Sequence, residues 1–438
     1  MSVRRHIHNR AARVLLSPRT RSRLRTLAKV RRRALGRRRV VRYFHQVDDP
    51  YSHLASQVLA RLVERYDIEL SIRLVRSPSD EAAPDRPRLV AFARSDAGAI
   101  AGAYGLEYTD PGRPPTENNR RVATRILAGH LGAETAVNLL ARVGEALWSD
   151  DTPALADLAD QYPPATESAA ARIVDDGTRE RGRRRHYGSA MFEFEGEWYW
   201  GVDRLHHLER RLSEDGARRT GGDEPLVPRL DVTNERVEAT QNAVELEFFP
   251  SMRSPYTAIC MPRALELAAR LPVDFTVRPV LPMVMRGLAV PLVKRLYIVR
   301  DTLREAEVLG IPFGDMYDPV GRPVERVYSL FPFAREHGRG AELLSTFCQS
   351  SFGAGFDTGT DAGLRRVVEE AGLSWDAARA HLDGDEWREE LEGNRLTMLS
   401  AGLWGVPSFR VRSKGEPDFT TWGQDRLWLV EREIRRRL

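Results

Sequence analysis

The feature that most constrains the fold of this 438-residue chain is an internal repeat. Residues 44–106 and 249–311 stay in register at a spacing of 205, without a gap. Near the ends of the halves the spacing becomes 222, where W-G-V-D-R-L at 200–205 matches W-G-Q-D-R-L at 422–427. Chance similarity does not preserve order and spacing together, so the sequence predicts an internal duplication.

Each copy begins as an α/β unit. Residues 40–44, V-V-R-Y-F, are typical of a strand, a helical spacing of leucines and valines starts at residue 54, and a second strand is predicted at 68–75. A helical region then separates this β-turn-α-β unit from a hairpin-like segment, at 191–199 in the first half and 409–421 in the second. The predicted fold class is therefore α/β, with two tandem domains that are each a small sheet interrupted by a helical insertion.

The halves are joined by a polar segment, residues 213–242, which contains G-G-D-E-P and shows no periodicity. Such a composition is typical of an interdomain linker. We therefore predict domains at 43–212 and 243–438, with a separate arm at 1–42.

The arm, residues 1–42, contains sixteen arginines and lysines and no acidic residue. The net charge of +5, less those sixteen, leaves −11 on the other 396 residues. Leucines at roughly helical intervals favour one or two basic helices. Three roles stay open: an anchor for nucleic acid or an anionic membrane surface, a helical extension whose arginines pair with the acidic body, and a mitochondrial presequence. Composition alone favours the second.

The sequence excludes a membrane span, because no run of 18 or more uncharged apolar residues is present. Two cysteines, Cys260 and Cys348, are too few for a disulfide framework. The N-terminus has no secretory segment either, so a reducing cytoplasm is the expected location. No residue pattern predicts a metal site.

A turn in the second half carries the first chemical signal. The stretch 247–260, E-F-F-P-S-M-R-S-P-Y-T-A-I-C, is typical of a strand that runs into a helix. Ser254 is a preferred helix N-cap, and Pro255 suits the first helical position. A hydroxyl there lies beside unpaired N–H groups and the positive end of the helix dipole, which together stabilise an anion such as a thiolate. A purely structural cap is the alternative.

Four stretches of the second half resemble DsbA-type thioredoxin-like proteins. They are similar to the branch that holds 2-hydroxychromene-2-carboxylate isomerases and kappa-class glutathione transferases, in which serine replaces the first cysteine of a redox C-x-x-C. Any one stretch is weak evidence, but four in order are fairly specific. The stretches are Ser254-Pro255-Tyr256, the K-x-x-Y-x-x-x-D-x-x-R pattern from Lys294 to Arg304 followed by G-I-P-F at 310–313, G-L-W-G-V-P-S-F at 402–409, and W-G-Q-D-R-L at 422–427.

The resemblance covers residues 244–438 well and 43–212 in outline, and it implies a glutathione site. The Ser254 hydroxyl would hydrogen-bond the glutathione sulfur and lower the pKa of the thiol. Pro407 would be a cis-proline, and Val406 before it would offer its backbone to the tripeptide as an added strand does.

The same resemblance implies contacts to the rest of the ligand. Asp425 would bind the α-ammonium of the γ-glutamyl group, and Gln424 would offer a neutral hydrogen bond. Lys294 would supply positive charge for a carboxylate, and Tyr256 would contact the substrate. The alternatives are a solvated lysine, a tyrosine that only packs, a trans-proline turn and a structural Asp425-Arg426 ion pair.

The first half departs from this pattern at the chemical positions. Asp49 replaces the serine, and its charge would raise the pKa of a bound thiol. Gly188-Ser189-Ala190 replaces Gly-Val-Pro, and Leu89 stands where the second half has Lys294. We interpret the first half as a degenerate copy that kept its fold and lost catalysis.

The predicted function is that of a glutathione-dependent isomerase or transferase acting on an unsaturated or aromatic small molecule, with glutathione as co-substrate. Disulfide exchange needs two thiols near the turn, and Ser254 to Thr257 contains none. The non-enzymatic alternative is a thioredoxin-like binding or scaffold module. Kappa-class relatives pair as homodimers, so the two halves are expected to form that pair within one monomeric chain.

Overall fold

The computed structural model describes residues 17–132, 135–238 and 243–438. The first sixteen residues of the predicted arm and the last four residues of the predicted linker lie outside this description. Contacts divide the chain into two compact units. The first-half unit comprises residues 23–229 with 291–297, and the second-half unit comprises the described residues through 22 with 230–290 and 298–438.

This division differs from the predicted domain boundaries in two places. Residues 23–42 cluster with the first-half unit and are not a separate arm. Residues 291–297 belong by sequence to the second half, yet they cluster with the first-half unit as well. The break between 229 and 230 falls inside the segment predicted to be the linker.

The first-half unit is built on a four-stranded mixed sheet. Its strand order is β2-β1-β3-β4, with β2 parallel to β1 and with β3 antiparallel to β1 and to β4. The strands are β1 (Val40–His45), β2 (Glu69–Leu74), β3 (Met191–Phe194) and β4 (Glu197–Trp200). The helices that precede, connect and follow them are α1 (Pro18–Ala34), α2 (Pro50–Ser56), α3 (Leu59–Arg65), α4 (Arg86–Ala101), α5 (Glu117–His130), α6 (Ala136–Trp148), α7 (Thr152–Gln161), α8 (Glu167–Arg183) and α9 (Leu205–Glu214).

The second-half unit has a sheet with the same order and the same strand directions, β6-β5-β7-β8. Its strands are β5 (Val244–Phe249), β6 (Val273–Val277), β7 (Ser408–Ser413) and β8 (Phe419–Trp422). The helices of the second half are α10 (Pro255–Arg270), α11 (Leu292–Leu309), α12 (Arg322–Glu336), α13 (Gly340–Phe352), α14 (Asp361–Glu370), α15 (Trp375–Ala378), α16 (Trp387–Ser400) and α17 (Leu427–Arg437).

The predicted α/β class, with a small mixed sheet and a helical insertion in each half, is confirmed. In both halves the first two strands flank one helical connection, and the antiparallel pair follows after several helices. The shared order and directions are what a duplication predicts, although the duplication itself stays a prediction.

The helix that follows the turn differs between the halves. In the second half α10 is continuous over sixteen residues, even with Pro262 inside it. In the first half the single helix predicted from residue 54 is broken at Gln57 and Val58 into two helices of seven residues each. The Gln57 side chain hydrogen-bonds the backbone of Glu107 in both directions, at 2.7 and 3.0 Å. A short helix presents a weaker dipole at its turn than α10 does.

The core that positions the second-half turn lies between the sheet and α10, α12 and α13. Phe248 of β5 stacks on Phe409 of β7 with ring centroids 4.8 Å apart, and both are fully buried. Each such ring contributes about 1.5–3 kcal/mol by leaving water. Within the described ranges, no helix is both long enough and apolar enough to cross a bilayer.

Candidate functional site

Ser254 is the N-cap of α10, as predicted. Its Oγ accepts a hydrogen bond from the Thr257 N–H at 3.2 Å, and its backbone is extended. The residue is half-buried, so it lies at the edge of the core and not inside it. Because the oxygen accepts from the backbone, the hydroxyl hydrogen remains available to a further acceptor. The sixteen-residue helix directs the positive end of its dipole to the same place.

The turn before Ser254 is held by a residue that the sequence did not reveal. The hydroxyl of Tyr328, in α12, accepts from the Met252 N–H at 3.2 Å and donates to the Val280 carbonyl at 3.0 Å. Tyr328 is fully buried and therefore fixes the turn against the loop after β6. No local motif marks this tyrosine, because its role depends on packing across 76 residues of chain.

The loop that contains Pro407 lies at the same end of β5 as the Ser254 turn. The Val406–Pro407 peptide bond is cis, as predicted. Ser408, the next residue, pairs with Phe249 at the last position of β5. In the described part of the chain, no hydrogen bond engages the backbone N–H or C=O of Val406, which is half-buried. Donor and acceptor are therefore both open to an extended ligand.

A glycine lets this loop approach β8. A Cβ on Gly405 would lie 2.0 Å from the Trp422 ring, so no other residue fits there without movement. The Gly423 N–H donates to the Pro407 carbonyl at 2.9 Å on the other side of the loop. These contacts position Val406 without using its own backbone groups.

Gln424 is placed differently from the prediction. It is 1% exposed, and its amide nitrogen donates to Glu305 Oε2 at 2.9 Å. Its amide oxygen and its backbone carbonyl accept from Arg263, at 3.3 and 3.2 Å. Both ends of the side chain are thus engaged inside the protein, which argues against Gln424 as a direct ligand of glutathione.

Asp425 lies in the same short 3₁₀ turn, Gln424–Arg426, but is less buried. Its side chain is 17% exposed, and the Arg426 guanidinium lies 3.8 Å away. A Cβ on Gly423 would lie 2.4 Å from Asp425 Oδ1, so the glycine holds this carboxylate closely. The ion pair expected as the alternative is present, and the side chain remains partly exposed.

Tyr256 makes a contact that the first half repeats. Its hydroxyl donates to Asp301 Oδ2 at 2.8 Å, and Tyr51 donates to Asp96 Oδ2 at the same distance. Because the first half has this pair without the serine or the cis-proline, the contact is explained by the fold. Tyr256 therefore packs and hydrogen-bonds as the alternative expected, and its contact with a substrate stays a prediction.

Lys294 is also placed unexpectedly. It belongs to residues 291–297, which cluster with the first-half unit, and its ammonium donates to the Ala82 carbonyl at 2.7 Å. Burial lowers the pKa of Lys294 below its usual range. The charge is therefore anchored within the first-half unit, which argues against the predicted role beside Ser254.

Neither cysteine is placed for thiol chemistry. Cys260 and Cys348 are both free and fully buried. Burial raises the pKa of each thiol to about 12, so neither forms a thiolate at neutral pH.

The corresponding turn of the first half is closed by a carboxylate. Asp49 caps α2 and accepts from the Ser52 N–H at 3.1 Å and from the Ser52 hydroxyl at 2.7 Å. Ser189, which stands in place of Val406, also acts to lower the pKa of Asp49, though less than burial raises it. Asp49 is 8% exposed, and its burial raises the pKa to about 6. At its cap position this turn therefore presents an incoming anion with a buried carboxylate in place of a serine hydroxyl.

Comparison with known families gives one match, in the second half of the chain. Residues 245–435 match the DSBA-like thioredoxin domain. No curated protein sequence matches the chain.

Three solved structures are similar at low identity. A 2-hydroxychromene-2-carboxylate isomerase is 20% identical with a TM-score of 0.37, and the match covers 44% of this chain and 95% of the isomerase. A probable DsbA oxidoreductase from Streptomyces coelicolor is 16% identical with a TM-score of 0.36, covering 44% and 91%. The cytosolic disulfide reductase DsbM from Pseudomonas aeruginosa is 20% identical with a TM-score of 0.35, covering 44% and 98%. The match to the DSBA-like thioredoxin domain thus covers residues 245–435 of the second half.

Proposed function

We propose that the chain is a glutathione-dependent isomerase or transferase whose active site is the Ser254 turn of the second half. The substrate class is an unsaturated or aromatic small molecule. The first half contributes a related fold without a site of its own. A reducing compartment, the cytoplasm, is the proposed location.

One observation carries this proposal. Within the described residues, the Ser254 hydroxyl donates no hydrogen bond and the backbone of Val406 forms none, and both groups lie at the same end of β5. A tripeptide thiol needs both features, since its backbone pairs with Val406 as an added strand does and its sulfur accepts from Ser254. The Asp425 side chain, which is partly exposed, offers a carboxylate partner for an α-ammonium group.

The residues of the turn favour a thiolate over a thiol. Ser254 donates a hydrogen bond to the sulfur, and the α10 dipole adds positive potential, so both lower the pKa of a bound thiol. When bound, glutathione supplies a sulfur nucleophile that adds reversibly to an unsaturated carbon. Release of the sulfur after bond rotation is isomerisation, and retention of the adduct is transfer.

Disulfide exchange is not supported as an alternative. The two cysteines are buried with strongly raised pKa values, and the turn itself has no thiol. A non-catalytic scaffold is the second candidate, because Ser254 already serves as a structural cap and Tyr256 already has a partner.

Binding of glutathione to matched variants separates these candidates. We expect Ser254→Ala to weaken the affinity about ten-fold or more, since the donor to the sulfur is lost. Ser374→Ala is the control, because Ser374 caps α15 in the same unit in the same way. It should cost about 1 kcal/mol of stability and leave binding unchanged.

A second variant copies the first half. Ser254→Asp keeps an N-cap but places a negative charge at the turn, so we expect the fold to persist and binding to disappear. Isothermal calorimetry with millimolar glutathione measures all three variants. Equal affinity of the wild type and Ser254→Ala, or no binding by the wild type, would favour the scaffold.

A further inference from the structure

The helix α1 has its apolar side chains on the outside. Leu24, Leu27 and Val30 in the helix and Leu35 just after it are 59%, 64%, 58% and 52% exposed. They make up half of the eight large apolar side chains that are strongly exposed in the described part of the chain. A surface helix normally buries its apolar stripe and exposes its charges, so this arrangement is inverted.

The inversion has a structural cause, because the opposite face of the helix carries the cations that bind the first-half unit. Arg25 forms a two-point ion pair with Glu197 at 2.6 and 2.8 Å, and Arg32 contacts Glu195 at 2.8 Å. Arg25 and Arg32 lie two turns apart and therefore point to the same side. The sequence left three roles open for the arm. In this part of it, the arginines pair with acidic residues of the body, which is the second of those roles.

The strongest of these contacts converge on one buried carboxylate. The Asp215 side chain has no exposed surface, and it accepts from Arg39 at 2.7 Å and from Arg32. Burial alone would raise the pKa of Asp215, but the hydrogen bond from Arg39 and the charges of Arg32 and Lys29 hold it below its usual range. The helix is therefore anchored in one orientation, with its leucines facing solvent.

Cations also lie beside the leucines. Arg19, Arg23, Arg31 and Arg33 are exposed, and none has an ion pair with a residue that the structure describes. The outer face of α1 therefore carries both large apolar side chains and arginines that form no ion pair with a described residue.

We propose that this face binds the surface of an anionic phospholipid membrane. The leucines insert at the boundary between the lipid headgroups and the acyl chains, and the flanking arginines bind the lipid phosphates. Nucleic acid would satisfy the arginines but leave the leucines in water. An apolar protein groove would cover the leucines but would offer no negative charge to the arginines. Anionic lipid satisfies both.

Flotation of the full chain with vesicles tests this proposal. We expect binding to phosphatidylcholine vesicles that contain about one third phosphatidylglycerol, little binding to phosphatidylcholine alone, and loss of binding at high salt. The double variant Leu24→Ser with Leu27→Ser should lower the partition coefficient about ten-fold or more. Both side chains are exposed, so the thermal stability should not change.

Leu396→Ser is the control, because Leu396 is 54% exposed on α16, a helix of the second-half unit, and its replacement should leave binding intact. Arg23→Gln with Arg31→Gln should reduce binding to the anionic vesicles while every ion pair of the inner face remains. The proposal is overturned by equal binding to neutral vesicles, by full binding of the double leucine variant, or by binding to a double-stranded DNA fragment in place of vesicles.

Discussion

Ser254 and Asp49 cap equivalent turns with opposite consequences. Serine leaves a half-buried hydroxyl at the start of a long helix, whereas aspartate fills its turn with a carboxylate held by Ser52. Both residues satisfy the helix N-terminus, so the fold tolerates either. Only the serine leaves a neutral donor for an anion, and the difference between the halves therefore lies in the side chain.

The buried carboxylate makes stability depend on pH. The pKa of Asp49 rises from 3.8 to about 6 on folding, so the folded state holds a proton that the unfolded state has released between these values. Stability therefore falls as pH rises through this window, by up to about 3 kcal/mol. Asp49→Asn keeps the cap and removes the ionisation, and we expect it to raise the melting temperature at pH 8 much more than at pH 4.

Asp151→Asn is the control for this prediction. Asp151 caps α7 through the Ala154 N–H at 2.9 Å but is exposed, so its replacement should cause no comparable change with pH. An equal rise in the melting temperature of Asp49→Asn at pH 4 and pH 8 would contradict the predicted effect of the buried carboxylate.

At the scale of the elements, the two sheets carry the same ion pair with its charges exchanged. In β5, Glu247 lies opposite Arg410 of β7 and is also bound by Arg278 at 2.5 Å. In β1, Arg42 lies opposite Glu193 of β3 at 3.0 Å. Burial would raise the pKa of Glu247, but the hydrogen bonds from Arg410 and Arg278 lower it. This position of the sheet therefore holds a pair of opposite charges, and the acidic residue can stand on either of the two strands.

This exchange predicts a rescue. Glu247→Arg alone places three arginines together and should cost about 3–5 kcal/mol, the usual penalty for an unmatched buried charge. Adding Arg410→Glu recreates the arrangement of the first half and should recover at least half of the loss. Urea unfolding measures both variants.

The neighbouring pair Glu245 and Arg412 provides the control, because it joins the same strands but is about half exposed. Its exchange should change stability by less than about 1 kcal/mol. If Glu247→Arg with Arg410→Glu recovers none of the lost stability, the surroundings of the buried pair determine which strand carries the acidic residue.

For the molecule as a whole, the compact units do not follow the halves of the sequence. Tyr297 comes from α11 in the second half, yet it packs on the core of Phe44, Val75, Met191 and Trp198. Its ring meets His186 edge-on at 4.8 Å. The first-half unit is therefore incomplete without residues 291–297.

Tyr297→Ala should destabilise the first-half unit by about 2 kcal/mol or more, because it removes a ring from that core. Hydrogen exchange followed by mass spectrometry should show faster exchange in β3 and β4. Leu296→Ala is the control, since Leu296 is 43% exposed on the same helix and should change stability by less than about 0.5 kcal/mol. Unchanged exchange in Tyr297→Ala would contradict this assignment.

The sequence by itself determined the features that depend on neighbouring residues or on repeated order. Ser254 was predictable as a cap because capping involves the next three residues, and the α/β class followed from periodicity in each half. The cis bond before Pro407 followed from the resemblance carried by its motif.

Tertiary structure alone decided the features that join distant positions. Gln424 is turned inward by Glu305, Tyr328 holds the turn before Ser254, and Lys294 reaches Ala82 across 212 residues. Tertiary structure also decided that the leucines of α1 face outward. Helical periodicity does not indicate which face of a basic helix will bind the acidic residues of the body. Such choices depend on which buried groups still need a partner once the sheets and helices have packed, and no local pattern of residues contains that information.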